Sequence, residues 1–455
     1  MLYDLIVLGG GPAGYHGAML AGKKGLQTLL VEKSALGGVC LNTGCIPSKT
    51  WLQSAKIYAH AQNGAAYGVH AQQLSFDQRR VNARKNKVVK ILTAGVKSQL
   101  EKYKVTVVAA EGKIQGRDGT GFKIKAGEEY YSAKNLLIAT GSVPVVPPIT
   151  GLAEALQAGT VLTNEKIFAI PAVPASLVVI GGGVIGLEMA AYFNAVGSKV
   201  TVIEMQDRIG GEIDPDLAAI LLRNYQKKGV RFRLNAMVTA VSAGKVRFTT
   251  GNGEEEVTAE TVLLSVGRRP FFTGFGLETL SPVVEKGRLQ VDRSGRTSVP
   301  GVYAAGDVNG RSMLAHTAYR EAEVCVGQIL GEDEEVNYET IPAVIYTDPE
   351  VASVGETALS AAEKGLEVEE HTISMRYSGR YLAEHEGGDG ICKLVLARED
   401  RRLLGVHLIT EYASELIYGA GLMIDRKMTT EEMGKVIFPH PTMGEIIKEA
   451  VFNIE

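Results

Sequence analysis

Two windows of the chain share one pattern of apolar and polar positions. Residues 3–33, YDLIVLGGGPAGYHGAMLAGKKGLQTLLVEK, align without a gap over residues 175–205, ASLVVIGGGVIGLEMAAYFNAVGSKVTVIEM. Each window starts with a short apolar run, breaks at a glycine cluster, continues as an alanine-rich segment and ends in a second apolar run closed by an acid, Glu32 or Glu204. The pattern predicts strand, turn, helix and strand, twice over. Further apolar runs at 134–149 (KNLLIATGSVPVVPPI), 262–271 (VLLSVGRRPF) and 297–307 (TSVPGVYAAGD) read as buried strands. The first ends at Gly141 in a proline-rich link, and the second runs into Gly267. Both mark domain boundaries. From about residue 336 the pattern changes to alternating strands, CKLVLA and LLGVHLI, with two amphipathic helices, the signature of an α+β unit.

The glycines give the repeat a chemical meaning. Gly9, Gly11 and Gly14 in the first copy, and Gly181, Gly183 and Gly186 in the second, form G-x-G-x-x-G between strand and helix. The first glycine permits the tight turn, the second lets the backbone approach a pyrophosphate, and the third lets helix pack on strand. The helix N-terminus supplies N–H groups and a positive dipole end to the phosphates. An acid at the end of the second strand accepts hydrogen bonds from a ribose diol. One such motif is weak evidence, because glycine turns also serve plain packing. Two copies in full context imply two bound adenine dinucleotides. Glu204 would repel a 2′-phosphate, and EMQDR offers no paired basic residues, so NAD is expected over NADP.

The expected class is therefore α/β: two Rossmann-like domains, for FAD and NAD, plus a C-terminal α+β domain. The flavin half is interrupted by the nicotinamide half. Expected boundaries are 1–145 and 270–335 for the two parts of the FAD-binding domain, 146–269 for the NAD-binding domain and 336–455 for the C-terminal domain. With 455 residues and 45% hydrophobic content, the chain is too long for one core.

Charge removes other classes. A net charge of −3 leaves no electrostatic footprint for nucleic acid or anionic membrane. Six basic residues between Arg79 and Lys90 are interleaved with Val, Asn and Ala, the pattern of a solvated helix face. The best apolar run, 177–193, is broken by four glycines and Glu188. The start, MLYDLIVLGGG, enters a strand with no charged leader, so a soluble cytoplasmic protein without a signal peptide is expected.

Four cysteines occur in the whole length. Cys325 and Cys392 stand singly in apolar surroundings and read as core. Cys40 and Cys45 lie together in GGVCLNTGCIPSK. A zinc site would need four ligands, and no second pair lies within reach, so no metal is expected. A staple closing so short a loop would remove little unfolded-state entropy. A redox pair remains. The turn NTG would let the cysteines meet, and a helix starting near Ile46 would stabilise a thiolate at its N-terminus.

Lys49 follows Cys45 by four residues and so shares its helix face, where a cation would stabilise a thiolate. Glu188 interrupts an apolar helix, VIGLEMAAYF, at the place where the first copy has His16. It either complements the helix dipole or pairs with Lys49. Near the end, FPHPTMGEII sets His440 between prolines with Glu445 five residues on. A thiol-handling enzyme needs a base near neutrality, and an imidazole oriented by a carboxylate meets that need.

GGVCLNTGCIPSK, GGGVIGLE, GRRP, VYAAGD, MLAH (313–316), YTDPEVASVG (346–355) and HPTMGE together resemble the dihydrolipoamide dehydrogenase family of flavoprotein disulfide reductases. The resemblance covers essentially the whole chain, in order. It is most specific at the cysteines, where Leu41, Thr43 and IPSK match the lipoamide branch rather than the glutathione reductase branch. The resemblance implies that Cys40 is the substrate-facing thiol and Cys45 the thiolate against the flavin. It makes His440 and Glu445 the base and its orienter, and Lys49 and Glu188 a pair beside the flavin. Gly9, Gly11, Gly14, Glu32, Gly141 and Asp307 would hold FAD; Gly181, Gly183, Gly186, Glu204 and Gly267 would hold NAD.

The implied protein is a homodimer with shared active sites, which makes 336–455 a C-terminal α+β dimerisation (interface) domain, and it serves lipoyl-bearing proteins of 2-oxoacid dehydrogenase or glycine cleavage systems. It would oxidise their dihydrolipoyl groups and reduce NAD to NADH. The alternatives are another flavin disulfide reductase, of mercuric or glutathione type, or a non-catalytic nucleotide-binding regulator. The stretch RYSGRYLAEHEGGDG (376–390) departs from the family pattern within the interface domain and bears on how partners dock.

Overall fold

The computed structural model describes residues 1–119 and 121–454. Its first sheet has seven strands, and one of them explains how distant parts of the chain share a unit. Glu129–Ile138 pairs in parallel with Leu2–Leu8, from Leu2↔Ser132 to Leu8↔Ile138. Thr28–Glu32 and then Thr106–Ala109 extend the parallel sheet outward from Leu2–Leu8. On the opposite side Glu129–Ile138 has two partners. Gly121–Ala126 takes its first half in antiparallel register. Val302–Ala304, returning from far along the chain, takes Leu136–Ile138 in parallel.

The second parallel sheet runs in the order Arg231–Arg233, Lys199–Ile203, Ser176–Ile180, Thr261–Leu264, Val161–Thr163. Beside it lies the antiparallel meander Met237–Ser242, Lys245–Thr250, Gly253–Thr258. The chain passes from the first sheet to the second through Ser142–Pro144 and back through Arg268–Pro270. These two short strands pair with each other, Ser142 opposite Pro270, so entry and exit form one ladder.

The C-terminal sheet is wholly antiparallel, in the order Ala343–Ile345, Glu350–Gly355, Leu403–Thr410, Ile391–Ala397, Val368–Ser374. Helices Ala413–Asp425 and Ile446–Phe452 pack on its apolar face, where Ile417, Ala420, Ile446 and Ala450 join Leu394, Val406 and Leu408 in one core. The fold is thus α/β with two Rossmann-like units and a C-terminal α+β unit.

One core ties the three units together. Trp51, on the helix Cys45–Asn63, stacks on Tyr192 of the helix Val184–Ala195 at 4.6 Å and meets Phe193 edge-on at 5.9 Å. Ile345, Val351 and Ile409 of the C-terminal sheet belong to the same cluster. Each aromatic pair adds about 1 kcal/mol beyond its area burial. The indole N–H is satisfied by Asn82 Oδ1 at 3.1 Å.

Two local expectations need correction. The basic stretch is indeed helical, Gln78–Lys102, capped by Asp77. It is not solvated throughout, because Lys85 is buried and donates to the Phe168 carbonyl at 2.7 Å. Burial lowers its pKa. The cysteine helix starts at Cys45, near Ile46 as expected, but NTG is not the turn, because Asn42 and Thr43 belong to a preceding helix, Gly38–Thr43. The turn is Gly44 alone, with φ −139° and ψ −112°. Cys325 and Cys392 are fully buried. Among the described residues no helix is long and apolar enough to cross a membrane.

Candidate active site

The two glycine turns are near copies in space. Gly9 and Gly181 both have φ of +105°, left-handed backbone that favours glycine. A Cβ on Gly14 would lie 1.8 Å from the Gly9 carbonyl oxygen, and one on Gly186 would lie 2.2 Å from that of Gly181. Only glycine lets each helix sit so close to its strand. Gly11 and Gly183 are the N-caps of Pro12–Lys23 and Val184–Ala195, and neither helix has a side-chain cap. The acids close the turns identically: Glu32 Oε2 accepts from Gly10 N and Glu204 Oε2 from Gly182 N, both at 2.6 Å. Uncapped helix N-termini over bare glycine, with a carboxylate at the neighbouring strand end, fit the phosphates and ribose of a dinucleotide at each turn.

Asp307 joins the first of these turns. Gly306, beside it, has φ +80°, and a Cβ there would lie 3.3 Å from Ala13 Cβ at the start of the first fingerprint helix. Asp307 opens a one-turn 3₁₀ helix, but its own side chain accepts from Ser142 Oγ at 2.5 Å. Burial raises its pKa, opposed by Ser142 and by the Arg268 guanidinium. Arg268 donates in turn to Ser142 Oγ and O, each at 2.8 Å, and to Glu165 at 3.0 Å. Gly141 and Gly267 flank this network with φ of +72° and +103°. Ser142 and Arg268 escaped the sequence reading; the GRRP motif was the available signal.

The cysteine segment docks directly on the first turn. Gly37 N donates to Gly10 O at 2.8 Å, and a Cβ on Gly38 would lie 2.7 Å from Gly11 Cα. Cys40 sits in the short helix and Cys45 at the first position of the long one. Gly44 makes their approach possible, since a Cβ there would meet Val39 O at 3.0 Å and Cys40 Cα at 3.4 Å. Both are free thiols, joined by a hydrogen bond. That bond lowers the Cys45 pKa to about 7, with Lys49 assisting against burial and the Glu188 charge. The same bond, with burial, pushes Cys40 far upward. Cys45 is therefore the first to ionise, and Cys40 donates to its thiolate.

Lys49 Nζ donates to both Glu188 oxygens at 3.0 Å, joining the cysteine helix to the second fingerprint's helix. Glu188 is nearly fully buried, and it also accepts from Tyr346 N at 3.2 Å. The Tyr346 ring lies 4.2 Å from the Lys49 ammonium, a cation–π contact from the C-terminal unit. Tyr346 also went unread in the sequence, although YTDPEVASVG contains it. His16, the counterpart of Glu188, instead binds Glu323 at 2.9 Å.

His440 and Glu445 are joined, Nδ1 to Oε2 at 2.7 Å. The imidazole is 77% exposed and the carboxylate only 12%. Among the described residues no hydrogen bond links His440 to either cysteine. Apolar side chains of the same C-terminal segment are also bare: Ile437 is 92% exposed and Phe452 83%. No group of His, Cys, Asp or Glu among the described residues could hold a metal ion.

This combination defines a class, and similarity to known proteins makes it definite. Residues 3–322 match the family described as pyridine nucleotide-disulphide oxidoreductase, and residues 341–451 match its dimerisation domain. The chain belongs to this family, as an FAD-containing oxidoreductase that uses NAD, and its dimerisation domain supports a homodimer. It is 37% identical to the dihydrolipoyl dehydrogenase of Geobacillus stearothermophilus, over 98% of this chain and 95% of that one. It is 36% identical to the mitochondrial dihydrolipoyl dehydrogenase of Pisum sativum, over 98% and 90%. Among solved structures, LpdA from Mycobacterium tuberculosis superposes with a TM-score of 0.89 at 27% identity, covering 98% of both chains.

Proposed function

We propose that this chain is a dihydrolipoyl dehydrogenase, oxidising protein-bound dihydrolipoyl groups and reducing NAD to NADH. The observation that carries the reading is the thiol pair at the Gly44 break, docked on one dinucleotide turn and tied to the other through Lys49 and Glu188. The first turn with Glu32 and Asp307 would hold FAD, the second turn would hold NAD, and the flavin would supply an acceptor for the dithiol's electron pair on its way to the nicotinamide.

The remaining work falls to the chain's own groups. In the oxidised enzyme Cys40 and Cys45 form a disulfide. A substrate thiolate attacks Cys40 Sγ, and Cys45 leaves as a thiolate favoured by the helix N-terminus and Lys49. The second substrate thiolate attacks the mixed disulfide at the substrate's sulfur, releasing lipoyl disulfide and Cys40. Two electrons have then passed from substrate to the cysteine pair. His440 takes the proton from the substrate thiol and returns one to Cys40, held in its tautomer by Glu445. Its exposure in the single chain, with Ile437 and Phe452 of the same C-terminal segment also bare, supports a base that serves the thiols of the other subunit.

Dihydrolipoamide with NAD, glutathione disulfide with NADPH, and Hg(II) with NADPH are the discriminating substrates. Rapid NADH formation with the first and negligible rates with the others is expected. Faster turnover of either alternative would replace the assignment. A mixed dimer of one Cys40→Ser and one His440→Gln subunit tests the shared site. It should recover about half the parent activity, because one of its two sites is then free of both lesions. An inactive mixture would place each site within one chain.

A further inference from the structure

The divergent stretch 376–390 reaches the His440 loop, and one of its residues holds that loop. Ser378 is fully buried. Its hydroxyl donates to the Thr442 carbonyl at 3.0 Å while accepting from Tyr381 N at 3.3 Å, which caps the helix Gly379–Glu384. Thr442 is the hinge of the loop. Its own hydroxyl donates to Pro439 O at 2.8 Å and accepts from Glu445 N at 3.3 Å. The carbonyl that Ser378 grips therefore lies between the imidazole and the carboxylate that orients it.

The support of Ser378 is itself anchored on other units. Tyr67, just beyond the cysteine helix, donates to Glu384 O at 2.9 Å. Asp389 accepts from Asn224 at 3.0 Å and faces Lys227 at 3.6 Å, both on the helix Pro215–Lys227 beside the second parallel sheet. Within the stretch the Tyr381 hydroxyl accepts from Gly390 N at 3.4 Å, and a Cβ on Gly388 would lie 2.0 Å from that hydroxyl, so the segment closes on its own buried tyrosine. A loop that looked divergent in sequence is a brace from the nicotinamide and cysteine units to the base.

We propose that Ser378 is a positioning residue for the His440–Glu445 pair, acting through the Thr442 carbonyl. The proposal rests on the dihydrolipoyl dehydrogenase reading for its kinetic consequence alone. Misplacement of a catalytic group by a fraction of an ångström costs rate without removing the group, so Ser378→Ala should lower kcat with dihydrolipoamide about tenfold. The pH profile of kcat should change with it, since proton transfer through His440 becomes the limiting step. Electron transfer from NADH to a quinone acceptor does not need the base and should hold its parent rate. Ser378→Thr keeps both the hydroxyl and the helix cap and should recover most of the loss.

Amide hydrogen exchange of the intact homodimer gives a readout free of substrate. In Ser378→Ala, exchange should accelerate in the peptide spanning residues 438–446 and stay at the parent level around the cysteines. Parent-like exchange there, or faster exchange with unchanged kcat and pH profile, would overturn the positioning role. Equal losses in the lipoamide and quinone reactions would reduce Ser378 to a fold residue and overturn it as well. Should the parent enzyme itself ignore dihydrolipoamide, the functional reading falls, and the exchange data still decide whether Ser378 holds the loop.

Discussion

Replacing Lys49 by Met should raise the Cys45 pKa, and the structure sets the size of the change. Lys49 lies one helical turn beyond Cys45, so their side chains are about 6 Å apart. At an effective dielectric constant of about 20, unit charges at that separation interact by about 2.8 kcal/mol, and roughly half survives because a third of the lysine side chain is in contact with solvent. The remaining 1.4 kcal/mol or so corresponds to about one pKa unit. The midpoint should move from about 7 to about 8. Glu188→Gln must act in the opposite sense, since it removes the carboxylate that opposes the Cys45 thiolate. The assay is the pH dependence of iodoacetamide alkylation in a Cys40→Ser background. There the serine hydroxyl keeps the donor to Cys45, and the fully buried Cys325 and Cys392 do not compete. Lys49→Met alone strands a buried carboxylate, so the double variant Lys49→Met/Glu188→Gln serves as the control for lost packing. Midpoints that shift the same way in both single variants, or not at all, would refute an electrostatic role for the pair.

Glu204→Ala should raise kcat/KM for NADPH and narrow the preference for NADH, because the carboxylate beside Gly182 no longer repels a 2′-phosphate; equal use of both nucleotides by the parent enzyme would refute the assignment. Gly14→Ala should yield protein without bound flavin absorbance, since its methyl would collide with the Gly9 carbonyl, and stoichiometric flavin in this variant would contradict the packing argument. His440→Gln should lower dihydrolipoamide oxidation on the order of 10²- to 10³-fold, the scale of a lost general base, with steady-state kcat as the measurement. Glu445→Gln keeps a hydrogen-bonding partner but loses the charge that orients the ring, so about a tenfold loss is expected, and an effect as large as that of His440→Gln would give the carboxylate a more direct part.

The readable features were those set by local periodicity. Both fingerprints are visible because a strand, a turn that only glycine allows and a helix impose a pattern within about 30 residues. The Lys49–Glu188 contact was within reach for two local reasons: lysine shares a helix face with Cys45, and glutamate interrupts an apolar run in the aligned copy. Tyr346 was out of reach because its place over Lys49 is fixed by the docking of the C-terminal sheet, which no local spacing encodes. Lys85 failed for the same reason. Its position in the helix is ordinary, and only the carbonyl of Phe168 from another segment makes it a buried donor. The narrowing of the expected NTG turn to Gly44 alone rested on that residue's unusual dihedrals, to which a glycine in sequence gives no direction.

The arrangement around Lys49 explains why the reactive pair sits where three units meet. Cys45 belongs to the first unit, Glu188 to the second and Tyr346 to the C-terminal one, and Lys49 bonds Glu188, lies over the Tyr346 ring and acts on Cys45 by its charge. Surface ion pairs of this kind contribute little, but here the carboxylate is buried and accepts a backbone N–H as well, so separating the units would leave a charge stranded in apolar surroundings. The Trp51–Tyr192 stack, two residues from Lys49 and one turn from Glu188, opposes the same separation with apolar area. Polar and apolar contacts therefore resist one motion, the parting of the two dinucleotide turns, which electron transfer between two bound nucleotides requires to stay at fixed separation. The exposed His440 is left outside this lock, and in the function proposed above its imidazole works on the other subunit's thiols, with the brace at Ser378 to place it.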